Sequence, residues 1–63
     1  MTDFIVTFDD GTTLEQTIAE VYQWREDWKP WEKELIQNVL DGKVRRFSTS
    51  KDGIFCDIER RVS

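Results

Sequence analysis

Asp52-Gly53 limits what this chain can become more than any other feature of it. An Asp-Gly pair suits the two central positions of a type I′ turn, whose twist matches that of two antiparallel strands. With the pair as a two-residue loop, the register of both flanking runs follows. Lys51 faces Ile54, Thr49 faces Cys56 and Phe47 faces Ile58 on one side of the sheet. Arg46 faces Glu59 and Ser48 faces Asp57 on the other. One side is mostly apolar and the other carries an opposite-charge pair, so packing and electrostatics agree on this register. Continued to the open end, it sets Arg45 across from Arg60.

A second strand is expected over residues 3–8, Asp-Phe-Ile-Val-Thr-Phe. Phe4, Val6 and Phe8 alternate onto one face, and Asp9-Asp10-Gly11 ends the run as a turn. Two readings then compete for the next segment. A hairpin with a two-residue loop at Asp10-Gly11 would pair Phe8 with Thr13, Val6 with Glu15 and Phe4 with Thr17. That sets apolar side chains opposite polar ones. A helix fits the periodicity better. Thr12-x-x-Glu15 and Thr13-x-x-Gln16 match a capping box, and Leu14, Ile18, Val21, Tyr22 and Trp28 fall on one arc with Trp24 at its edge. The helix is the preferred reading.

Pro30 breaks that pattern and suits the first turn of a second helix. Asp27 is placed as its cap, with Glu32 and Glu34 favourable at its positive end. Trp31, Leu35 and Val39 form its apolar stripe, widened by Ile36 and Leu40, and Gly42 follows its C-terminus. The expected fold is a single α+β domain over residues 1–63 in the order β-α-α-β-β. Its two short helices pack on one face of a three-stranded sheet that ends in a C-terminal hairpin.

Sixty-three residues leave room for one core, and stability of roughly 3–5 kcal/mol is expected of such a domain. Aromatic residues make up 13% of the chain, which argues against plain disorder. Cys56 is the single cysteine and there is no histidine. A disulfide framework is thereby excluded, and no Ser-His or Cys-His nucleophile pair exists within the chain. No metal site and no cofactor are expected. The carboxylates show no catalytic pairing, so the chain is read as not an enzyme. No apolar run approaches a membrane span, and no secretory signal or prenylation box is visible at the ends. A soluble protein in a reducing cytoplasm is expected.

Three features bear on function. Trp24, Trp28 and Trp31 lie within eight residues around the helix break. Tryptophan fills cores, and it is also enriched at interface hot spots. Together with Ile36 and Leu40 these indoles exceed what one narrow core holds, so at least one is expected to meet a partner or a second copy of the chain. Glu26, Asp27, Glu32 and Glu34 sit beside them as candidate orienting charges. Charge is also divided along the chain: residues 1–42 hold ten acids and three bases, and residues 43–63 hold three acids and six bases. The formal net is −4. A solvated surface accounts for this division, and so does an acidic face for a basic partner. The third feature is Arg45, Arg46, Arg60 and Arg61, candidates for nucleic-acid binding or an anion clamp in a chain whose overall charge opposes it. Arg25, on the first helix's apolar arc, either snorkels to water or pairs with a buried acid.

In size and composition, over its whole length, the chain resembles the small acidic accessory proteins of bacteriophages and mobile elements, among them anti-CRISPR and antitoxin-like proteins. No single motif carries the resemblance. It implies a protein that binds and blocks a larger host protein, by steric occlusion or by mimicking nucleic acid. Direct nucleic-acid binding through the hairpin, and self-assembly as a virion component, are the alternatives.

Overall fold

A computed structural model describes residues 2–61. The elements are β1 (Phe4–Phe8), β2 (Thr13–Gln16), α1 (Ile18–Tyr22), α2 (Pro30–Leu40), β3 (Arg46–Lys51) and β4 (Ile54–Arg60). The strands form one antiparallel sheet in the order β2-β1-β4-β3. The α+β class and the two helices are as expected. The sheet has four strands rather than three, and the chain order is β-β-α-α-β-β.

The extra strand comes from the segment read as helix. Phe8 N–H bonds Thr12 O at 2.7 Å and Gly11 N–H bonds Phe8 O at 2.9 Å. The loop is therefore Asp9-Asp10-Gly11, three residues long, with Gly11 at φ +90°. This is a usual three-residue hairpin, and its glycine position is one that a side chain rarely adopts. One added loop residue shifts every pair by one. Val6 now faces Leu14, Thr7 faces Thr13 and Phe4 faces Gln16. The slip turns Leu14 onto the apolar face opposite Val6, which relieves the mismatch there, while Phe4 and Phe8 still stand opposite Gln16 and Thr12. Asp10 Oδ1 accepts Thr12 N–H at 2.9 Å and steadies the turn.

The helix that follows is short. Thr17 Oγ1 accepts Glu20 N–H at 3.1 Å, and Glu20 Oε1 accepts Thr17 N–H at 2.9 Å. The capping box is thus Thr17-x-x-Glu20, whereas the two boxes proposed upstream fall in the turn and in β2. Ile18 N–H donates to Asp3 Oδ2 at 2.9 Å, tying the helix start to the head of β1.

Pro30 opens α2, which makes Lys29 the N-cap residue in place of Asp27. Glu32 does the capping instead, since its Oε1 accepts Lys29 N–H at 3.0 Å. At the far end Gly42 has φ +81° and donates to Val39 O, and Lys43 N–H reaches Asn38 O at 2.9 Å. These bonds close the helix with a left-handed glycine, as its position predicts. A Cβ at Gly42 would also stand 3.2 Å from Arg60 Nη1. The Arg60 guanidinium therefore lies against the negative end of α2, which has no basic residue of its own in its last turn.

In the C-terminal hairpin all six pairs from Arg46↔Glu59 to Lys51↔Ile54 match the expected register. Asp52 and Gly53 both have positive φ, 54° and 80°, as a type I′ turn requires. The ladder stops at Arg46, so Arg45 does not face Arg60, which instead pairs with Phe4 of β1. Phe4, Val6, Phe47, Cys56 and Ile58 bury the same face of the sheet against Val21, Trp28, Ile36 and Val39. Each such side chain contributes about 1.5–3 kcal/mol by burial. Both helices lie on this face, leaving the other open to solvent. Among the described residues no helix is long and apolar enough to cross a membrane.

Candidate partner-binding surface

The three indoles have separate fates. Trp28 precedes α2 and is 6% exposed, with its Nε1–H donating to Tyr22 O at 3.2 Å. Trp24 is half-buried, packs against the core and donates to Gln16 Oε1 at 3.1 Å. Their ring centres are 6.5 Å apart and tilted by 37°. Trp31 is 55% exposed. Helical geometry explains the difference. Ile36 and Val39 mark the buried side of α2, and Trp31 stands about 110° from the centre between them, beyond Leu35 at the edge of the apolar arc. Leu35 and Leu40 are half-buried against the core, so the apolar arc of α2 is spent on the sheet except at Trp31.

Arg25 lies in the connection between α1 and α2, outside any helix. Its guanidinium carbon stands 4.2 Å from the centre of the Trp28 ring. It pairs with Glu32 at 3.7 Å and donates to Thr49 Oγ1 and to the Ser50 carbonyl. Arg25 thus binds the connection to β3, an edge of the sheet, and occupies a carbonyl there that another strand would otherwise seek. The sequence reading allowed for pairing with a buried acid. Its acid is Glu32, which is partly rather than fully buried, with a side chain 13% exposed. Lys51 Nζ lies 5.9 Å from the Trp24 ring centre, so both core-side indoles carry a cation of the chain itself.

Of the four acids read as orienting charges, Glu32 is committed to the helix cap and to Arg25. Glu26, Asp27 and Glu34 are exposed. Glu34 is three residues beyond Trp31 on α2, on a neighbouring part of the helix surface. Tyr22, Gln23, Arg25, Glu26, Trp28 and Lys33 line an open concavity of about 520 Å³ beside these residues. Burial there pushes the Tyr22 phenol upward.

The arginines do not gather into one patch. Arg46 pairs with Glu59 at 3.4 Å. Arg61 pairs with Glu15 at 3.1 Å and donates to Thr2 Oγ1 at 2.9 Å. Arg45 and Arg60 line a concavity of about 580 Å³ with Lys43, beside Glu59 and the end of α2. Cys56 is buried in the core, where desolvation and then the Asp57 carboxylate push its thiol upward.

Among the described residues, the most exposed large apolar side chain is one that the sequence reading does not single out. Phe55 is 74% exposed, and its neighbour Ile54 is 50% exposed. Phe55 stands on the open face of the sheet, across from Ser50. The derived hairpin register already implied that placement, because Phe55 shares its side with Asp57 and Glu59. Comparison with protein-family models, with curated proteins and with solved structures finds no match to this chain.

Proposed function

We propose that this chain is a non-enzymatic protein-binding module whose anchor is Trp31. One observation carries the reading: an indole stands 55% exposed on the first turn of a helix whose other large apolar residues turn toward the core. Tryptophan offers a large contact area with few rotors to freeze, so a solvated indole on a rigid helix is suited to fill a partner's pocket. Glu34, Glu26 and Asp27 form the rim and favour a basic partner surface by speeding encounter and setting orientation. Trp24 and Trp28 hold the connection that presents this rim. The partner is a larger protein, and the small size and net charge of −4 suit an inhibitor that occludes a nucleic-acid-handling surface.

The test is capture from host lysate by wild-type protein and by Trp31→Ala, with bound proteins quantified by mass spectrometry and folding checked by circular dichroism. The variant keeps the wild-type spectrum and retains at most about a tenth of the partner, as expected for loss of a hot-spot residue. Equal capture of the same protein by the folded variant contradicts the reading.

A further inference from the structure

The open face of the sheet carries a site that does not depend on Trp31. Its layout follows from strand pairing. Thr7, Asp57 and Ser48 lie in one row across β1, β4 and β3. In the next row Phe55 faces Ser50, and its carbonyl accepts the N–H of Asp9 at 2.9 Å. An exposed aromatic ring thus stands among hydroxyls and two carboxylates. Most of these residues also line a shallow concavity of about 450 Å³. Asp57 accepts a hydrogen bond from Ser48 Oγ. Among the described residues neither Asp9 nor Asp57 has an ion-pair partner. The arginine on this part of the face, Arg46, is held by Glu59.

We infer that this patch docks an arginine side chain of a partner protein. A guanidinium is planar, stacks on an aromatic face and offers five donors that match carboxylate geometry. Phe55 supplies the face and Asp9 and Asp57 supply the charge. Phosphate-bearing partners are disfavoured here, because both charged groups are anionic. The core stands on the other side of the sheet, so the solvation of Phe55 costs the fold little and its side chain is available to a ligand.

A titration of ¹⁵N-labelled protein with tri-arginine amide at low salt tests the site. Amide shifts are expected to concentrate on residues 7–9, 48–50 and 55–57. Phe55→Ala weakens binding about three- to fivefold, the size of an exposed cation–π contact. Asp9→Asn combined with Asp57→Asn weakens it at least about tenfold. Trp31→Ala binds the peptide as the wild type does, which separates this site from the proposed partner anchor. Shifts centred on Glu26, Asp27 and Glu34, or unchanged affinity in both the Phe55 and the aspartate variants, overturn the inference.

Discussion

The two hairpins of this sheet are closed by loops that differ by one residue. Asp52-Gly53 joins β3 to β4 with two residues, both at positive φ. Asp9-Asp10-Gly11 joins β1 to β2 with three, of which only the glycine has positive φ. Both contain Asp-Gly, and local sequence suggests the same turn for each. In the first case the flanking pattern agrees with a two-residue loop. In the second, only a three-residue loop sets Leu14 opposite Val6. Register is therefore a property of the loop and of both strands together, and a mismatch under one loop length is evidence for another length as much as for another fold.

Deleting Gly11 strikes this difference hardest. With Gly11 gone, the old register would need a two-residue loop with Asp9 and Asp10 both at positive φ, whereas a three-residue loop that takes in Thr12 slips β2 by one position, turns Leu14 to the open face and withdraws Gln16 from the Trp24 indole. The expected loss is about 2–3 kcal/mol in urea unfolding, from lost apolar burial and one part-buried hydrogen bond. A loss below about 0.5 kcal/mol would mean that β2 adds little to the sheet.

Alanine at the turn glycines comes next. Gly11 and Gly53 have φ of 90° and 80°, and an added Cβ at either meets nothing within 4 Å. The cost is then conformational alone, about 1–2 kcal/mol at each site. Equal losses in thermal unfolding are expected despite the different loop lengths. A larger loss at one glycine would reveal a packing role there.

The smallest effect is a titration. Hydrogen bonds from Thr12 hold the Asp10 carboxyl below its ordinary value of 3.8. A lowered folded value means the carboxylate favours the fold above the unfolded pKa, and the contribution disappears as pH falls through the folded one. Nuclear magnetic resonance should find Asp10 titrating below 3.8, with Asn at this position removing that pH dependence. An ordinary titration would remove the Asp10–Thr12 contact from the turn.

How far the sequence could be read depends on the segment. The second hairpin was legible from its turn to the Arg46–Glu59 pair, since a short loop, alternating residues and a cross-strand ion pair all point one way, but not at its open end, where Arg45 leaves the ladder and Arg60 pairs with β1. β2 was not, because it is four residues long and three of them are exposed, which leaves little alternation to detect. Thr12, Thr13 and Glu15 also imitate a helix start, while the true box begins at Thr17. α2 was legible except at its cap, where Pro30 dictates Lys29 as the capping position whatever the merits of Asp27. At the site, the surplus of indole was visible but its location was not resolved. Trp31 continues the apolar stripe of Leu35 and Val39, yet it stands about 110° from the centre of the buried side of α2. The engagement of Glu32 with Arg25 depends on how the connection folds back over Trp28, and no spacing rule predicts that.

The account holds that Trp28 maintains the fold and Trp31 is left for contact with another molecule. Urea unfolding of Trp28→Ala and Trp31→Ala, side by side, tests that division most directly. Trp28→Ala should lose about 3–5 kcal/mol, enough to unfold a domain of this size, and Trp31→Ala should stay within about 0.5 kcal/mol of wild type. Comparable losses in the two variants would place Trp31 in the core and contradict the account.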